Sequence, residues 1–189
     1  IYTTGTIDAT TSTVVFAGIN NTTVTNAPKI EGSHTLNDVM INSNINCSLA
    51  CALTISSTTT LTVSGTLTFD NSNVVSVTNV NTAAGTASGT IAALGDVIFG
   101  DNIAEDEDYD GTVRLLINGS GNQILRGFMT SSTGNMPTLE IDKSGGTLTL
   151  AGTIRFAPYT SAGRYWKYTA GTIDPASSTV VFASDGGIF

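Results

Sequence analysis

Short stretches of alternating apolar and hydroxyl-bearing residues recur along this chain. Every second side chain is apolar in Thr60-Leu61-Thr62-Val63-Ser64 and in Thr147-Leu148-Thr149-Leu150. Successive side chains of a strand point to opposite faces, so this period of two predicts strands with one buried face. The chain has no long stretch with apolar residues at i, i+3, i+4 and i+7, the pattern of an amphipathic helix. The sequence therefore predicts an all-β protein.

A glycine followed by a threonine opens most of these stretches. Glycine can turn the chain with a positive φ, and the β-branched threonine favours the strand that follows. The unit recurs roughly every 20 to 25 residues, which favours a parallel β-solenoid of short stacked strands. A β-sandwich, with irregular connections between its strands, is the alternative. The pairs begin at Gly5, Gly65, Gly89, Gly111, Gly146, Gly152 and Gly171.

One longer phrase occurs near both ends of the chain. YTTGTIDATTSTVVFAG begins at Tyr2, and its second copy, YTAGTIDPASSTVVFAS, begins at Tyr168. We therefore expect a single β-solenoid domain over residues 1–189. Residues 1–166 would form one repeat period, and residues 167–189 would begin the next.

The charge of the chain narrows the classes of partner. Charged residues make up 12% of the 189 residues, the net charge is −8, and the sequence pI is near 4.2. Nucleic acid and anionic lipid both require a surface rich in Lys and Arg. No apolar run is long enough to span a bilayer. We expect no nucleic-acid binding, no membrane insertion, and an extracellular or cell-surface location, for which this polar, weakly charged composition is typical.

An acidic segment carries the sharpest local motif. Asp106, Asp108 and Asp110, followed by Gly111, form the pattern D-x-D-x-D-G, in which alternate carboxylates can converge on one calcium ion. Ile117 stands where the closing glutamate of an EF-hand loop would be, so an EF-hand is excluded. A calcium-binding surface loop and a solvated acidic loop without an ion remain alternatives.

A second cluster combines aromatic and basic residues. Tyr165, Trp166 and Tyr168 lie beside Arg164 and Lys167. Exposed aromatic rings can stack on sugar rings, so this segment is a candidate glycan-binding face. The alternative is that one side of the strand packs in the interior of the solenoid.

The residues for catalysis are few. His34 is the only histidine and lies in a turn-like segment, so no Ser/His/Asp or Cys/His arrangement is available. Arg114 follows the acidic segment, but it occupies an ordinary position in an alternating strand. Cys47 and Cys51 either form a local disulfide or pack as two small apolar residues. We predict that the protein is not an enzyme.

The order of these motifs resembles the repeats of very large bacterial β-helical surface proteins, the adhesins and autotransporter-like passengers. The resemblance covers most of the chain and departs between Asn71 and Asp110, a longer and more acidic segment than a plain repeat. It implies stacked β-architecture and a surface location, and it implies no reaction. The segments that carry it are Asp8–Gly18, Leu36–Ile41 and Thr60–Phe69 in a first pass, then Gly119–Gly127, Leu139–Ile154 and Trp166–Phe182.

The two ends of a solenoid are open β-edges above an apolar core, and isolated solenoids cover them with polar caps or a helix. The sequence predicts neither, so we expect these end edges to pair with adjacent repeats or with a second copy, head to tail. The expected function is a non-enzymatic structural or adhesive surface protein, and the alternative is a glycan-binding module stabilised by calcium. The end-edge residues are Tyr2, Thr13, Val14, Val15, Phe16, Thr179, Val180, Val181, Phe182 and Phe189.

Overall fold

The computed structural model describes residues 11–17, 29–42, 54–55, 58–70, 89–99, 113–128, 136, 138–156 and 166–183. All regular elements in these ranges are strands, which confirms the predicted all-β class. The strands are β1 Thr13–Ala17, β2 Lys29–Ile30, β3 His34–Leu36, β4 Asp38–Asn42, β5 Thr54–Ile55, β6 Thr60–Val63, β7 Leu67–Asp70, β8 Thr90–Ala93, β9 Val97–Phe99, β10 Arg114–Ile117, β11 Gln123–Phe128, β12 Thr138–Phe156, β13 Trp166–Asp174 and β14 Thr179–Phe182.

Every pairing between the described strands is parallel. One row runs β1, β4, β7, β9, β11, then the C-terminal part of β12, and ends on β14. A second row runs β3, β6, β8, β10, then the N-terminal part of β12, and ends on β13. Strands β2 and β5 form a separate pair. This is the predicted parallel β-solenoid, and it differs from the antiparallel sheets of a β-sandwich.

One coil, meaning one turn of the solenoid, varies in length along the chain. The pairing of Leu115 with Leu139 marks one of the shortest coils, and the pairing of Leu67 with Val97 marks one of the longest. The sequence motifs predicted a spacing of roughly 20 to 25 residues. The shortest coils lie at the upper end of that range and the others exceed it, because the connections between the paired strand segments vary in length.

The core consists of columns of stacked side chains, one from each coil. Phe69 pairs with Phe99, and their rings stack with centroids 4.4 Å apart and planes 6° apart. Alternation places these residues inside and their neighbours outside, as the period of two predicted. A second column in the same row, at most 1% exposed throughout, contains Val39, Leu67, Val97 and Leu125.

Side-chain oxygens add bonds between consecutive coils just before β7, near the start of β11 and within β12. In each case a backbone N–H of one coil donates to an Asp or Asn side chain of the coil before it. These bonds satisfy donors that the sheet ladder leaves open, and they help to hold the register. The pairs are Thr66 with Asp38 Oδ1 at 2.7 Å, Ile124 with Asp96 Oδ1 at 2.8 Å, and Thr147 with Asn122 Oδ1 at 2.9 Å.

Candidate functional site

The two copies of the repeated phrase lie at opposite ends of one row of strands. β1 begins the first row and β14 ends it. Six pairings connect them, through β4, β7, β9, β11 and β12. Among the described strands, β1 pairs only with β4 and β14 pairs only with β12. Each of these two strands thus has one backbone edge that no described strand occupies.

The last described coil exposes residues at inward positions, and we call these residues the C-terminal end face. They are partly buried or exposed, and Tyr168 and Phe182 are 54% and 61% exposed. Each pairs with a core residue that is at most 2% exposed. The pairs are Trp166 with Leu139, Tyr168 with Ile141, Ile173 with Leu148, Val180 with Ile154, and Phe182 with Phe156.

Aromatic rings dominate this end face. The Phe182 ring stacks on Phe156 with centroids 5.5 Å apart and planes 17° apart. The Trp166 ring packs at 5.6 Å from Phe156 and at 6.5 Å from Phe182. Trp166 is therefore part of the packed end of the core. The Tyr168 hydroxyl donates to the carbonyl of Gly171, and the third residue of the predicted glycan face, Tyr165, lies outside the described residues.

The N-terminal strand shows the same alternation. Val14 and Phe16 pack against the core and pair with Val39 and Ile41, which are 1% and 0% exposed. Val15 lies between them and is 52% exposed. β1 therefore directs Val14 and Phe16 inward, at the positions that Val180 and Phe182 occupy on β14.

Arg114 lies in a charged cluster that bridges coils. Its guanidinium binds Glu140 at 2.8 Å and donates to the Thr90 hydroxyl at 3.1 Å. Lys167 binds the same carboxylate at 2.6 Å. The Lys167 hydrogen bond, together with the charge of Arg114, lowers the pKa of Glu140 against the opposing effect of burial. The cluster joins four successive strands of the second row, β8, β10, β12 and β13, and so helps to hold their coils in register.

Lys143 is the residue that the sequence analysis missed. It is 2% exposed, and its ammonium donates to Gly119 O at 2.7 Å, Gly121 O at 2.9 Å and Gln123 Oε1 at 2.5 Å. These acceptors are uncharged, and burial lowers the pKa of Lys143. Gln123 extends the bridge by donating to Ala93 O at 3.1 Å. A lysine between Asp142 and Ser144 has no sequence signal that distinguishes it from a surface lysine.

Several predicted site residues lie outside the described ranges. They are Asp106, Asp108 and Asp110 of the calcium motif, the cysteines Cys47 and Cys51, and the end-edge residues Tyr2 and Phe189. Within the described ranges, no group of three or more His, Cys, Asp or Glu side chains could hold a metal ion. The described part of the chain also has no helix long and apolar enough to cross a membrane.

The site with the clearest geometry is thus the pair of end edges. Comparison with protein-family models, curated proteins and solved structures found no match to this chain.

Proposed function

We propose that this protein is a non-enzymatic structural or adhesive component of the cell surface, which extends by pairing solenoid ends. The carrying observation is that Thr13–Phe16 and Thr179–Phe182, identical in sequence, form the two terminal strands of one row. A row whose first and last strands are alike can continue from one repeat, or one copy, to the next with the same local packing. Head-to-tail contacts of this kind generate filaments.

The exposed apolar surface supports the proposal. Phe182 and Tyr168 occupy inward positions on the C-terminal end face, where they are 61% and 54% exposed. Burial of apolar surface is favourable by about 25 cal/mol per Å². The same coil offers an unoccupied backbone edge among the described strands, and such edges pair readily with another strand. A neighbouring coil would cover both features at once.

The chemistry of the side surface fits a structural role. Arg114 and Lys167 each bind Glu140 across coils, and Lys143 binds two backbone carbonyls of the preceding coil, in the loop between β10 and β11. These basic groups are engaged in holding coils together. The net charge of −8 would keep the sides of a fibre soluble and apart, since like charges repel. The acidic, weakly charged composition supports an extracellular location.

Electron microscopy and light scattering of the purified chain test this proposal. We expect oligomers that lengthen with protein concentration while their width stays that of one solenoid. A monodisperse monomer at all concentrations, with no filaments, would contradict assembly through the ends.

A further inference from the structure

We infer that β14 of one copy takes the place of β1 on β4 of a second copy, so that solenoids join by exchange of a strand. The inference deepens the proposed function, since it names the partner strand at the junction. In this junction, β14 of one copy pairs with β4 of the second copy, which is Asp38–Asn42. Three features of the two strands support this junction: their identical sequences, the open backbone edge of β14 and the fit of the side chains.

The first feature is that β14 and β1 are interchangeable in sequence. Thr179–Ala183 repeats Thr13–Ala17 without a difference, and Gly171–Asp174 repeats Gly5–Asp8 upstream of it. β1 already binds β4 in parallel, in a register that sets Thr13 opposite Asp38. A strand with the same side chains can make the same contacts with β4. β14 would thereby restore to β4 the contacts that the displaced β1 gives up, as when an identical element is exchanged between copies.

The second feature is the direction of the backbone groups on β1. In a parallel strand, the N–H and C=O groups of alternate residues point to opposite neighbours. The Ser12 carbonyl accepts a hydrogen bond from the Asp38 N–H at 3.4 Å, so Ser12 faces β4. Val14 and Phe16 have the same parity as Ser12, and their backbone groups therefore face β4 as well.

The same reasoning gives the open edge of β14. The Ala183 N–H donates to the Phe156 carbonyl at 2.9 Å, so Ala183 and Val181 face β12. Val180 and Phe182 then face the other side, where the described residues place no strand. These two residues correspond to Val14 and Phe16. The edge that binds β4 on β1 is thus the edge that is open on β14.

The third feature is the fit of the side chains. Val14 and Phe16 pair with Val39 and Ile41 of β4, while the outward Val15 pairs with Met40. On β14, the same register would place Val39 over Val180 and Ile41 over Phe182. The exposed face of the Phe182 ring would then be covered by an apolar side chain. Exchange therefore keeps the apolar contacts of β4 and also buries the C-terminal end face.

Disulfide trapping between two singly substituted chains tests the junction, in a background with Cys47→Ser and Cys51→Ser. Val181 corresponds to Val15, so strand exchange places Val181 of one copy beside Met40 of the other. We expect Val181→Cys chains to form an interchain disulfide with Met40→Cys chains. The yield should be at least about tenfold above that with Val15→Cys chains, because only neighbouring strands bring two Cβ atoms within reach.

The other outcomes distinguish a failure of strand exchange alone from a failure of the proposed function as well. A dominant disulfide between Val181→Cys and Val15→Cys would show direct stacking of β14 on an intact β1 and would overturn exchange, while assembly through the ends would stand. Equal yields for both pairs, or filaments without either disulfide, would also overturn exchange. Monomers with neither disulfide would overturn exchange and the proposed function together.

Discussion

The ring of Phe182 stacks on the ring of Phe156 at 5.5 Å between centroids, yet Phe182 is 61% exposed and Phe156 is 2% exposed. The two residues occupy equivalent inward positions on consecutive strands. Phe156 lies on β12, which pairs with both β11 and β14, whereas Phe182 lies on β14, which pairs among the described strands only with β12. In the proposed assembly, Phe182 marks the surface that the neighbouring copy covers.

Replacement of Phe182 should weaken assembly. A charged side chain on an apolar surface cannot be buried without a large desolvation cost. We expect Phe182→Lys to raise the concentration needed for oligomers by about tenfold or more, corresponding to about 1.4 kcal/mol or more. Sedimentation of wild type and variant across a concentration series measures this change.

Ile124→Lys is the matched control for Phe182→Lys. Ile124 is also apolar and exposed, at 43%, but it lies on β11 in the middle of the row. If association used any exposed apolar side chain, both variants would weaken it equally. That result would argue against an interface at the ends.

Gly95 should not tolerate a side chain. A Cβ at this position would lie against the carbonyl group of Gly65 in the coil below, with the Gly65 carbon only 2.7 Å away. Gly65 lies in the turn between β6 and β7, and its N–H donates to the Asn37 carbonyl at 2.9 Å, which limits how far this backbone can move aside. Gly95→Ala should therefore lower the free energy of unfolding by about 1–3 kcal/mol or more. Chemical denaturation of the monomeric protein measures the loss.

Gly121→Ala serves as the control, since no atom lies within 4 Å of the Cβ that it would add. We expect this variant to be neutral or to gain up to about 1 kcal/mol, because alanine reduces the entropy of the unfolded chain. Equal losses at Gly95 and Gly121 would mean that the close approach of coils is not the cause.

Loss of the buried ammonium of Lys143 should destabilise the fold. Lys143→Met leaves the Gly119 and Gly121 carbonyls and the Gln123 amide oxygen without the donor they bind. A buried acceptor left unsatisfied costs about 1–3 kcal/mol, partly offset here because no charge is buried. We expect a net loss of about 2 kcal/mol in the free energy of unfolding.

The pH dependence of this loss has a definite sign. Burial lowers the pKa of Lys143 in the folded state, so the unfolded chain binds the proton more tightly. Wild-type stability relative to Lys143→Met should therefore rise with pH, from the folded pKa up to the unfolded pKa of about 10.4. A difference between the two proteins that is constant over the alkaline range would contradict a buried charge at Lys143.

The Glu140 carboxylate should contribute to stability in the opposite pH range. Its pKa is lowered, first by the hydrogen bond from Lys167 and also by Arg114. The contribution is present above the unfolded pKa of about 4.3 and is lost as the pH falls through the lower folded pKa. Arg114 and Lys167 side chains are 41% and 53% exposed, so we expect Glu140→Gln to cost only about 1 kcal/mol at neutral pH.

Thermal melting of Glu140→Gln at several pH values and salt concentrations checks this prediction. The variant should lose less stability than wild type on acidification, and high salt should narrow the difference. Asp142→Asn is the control, because Asp142 is exposed on the same strand. An acid sensitivity that follows Asp142 rather than Glu140 would disprove the role of the cluster.

The strands were largely predictable because their pattern is local. The alternation in Thr60–Val63 determines which side chains point inward, and the structure buries Leu61 and Val63 completely. Local pattern does not give the length of a coil, which the turns decide, and the motif spacing fell short of most observed coils. The acidic motif and the cysteine pair stay predictions, since they lie outside the described residues.

The sequence by itself determined that the chain forms short strands with one buried face and that the phrase beginning at Tyr2 recurs from Tyr168. Only the tertiary structure decided that the two copies end one row, that Lys143 lies inside, and that Glu140 meets Arg114 and Lys167. The physical reason is the same in each case. These contacts join residues that are a whole coil or more apart, and the intervening turns set which residues meet.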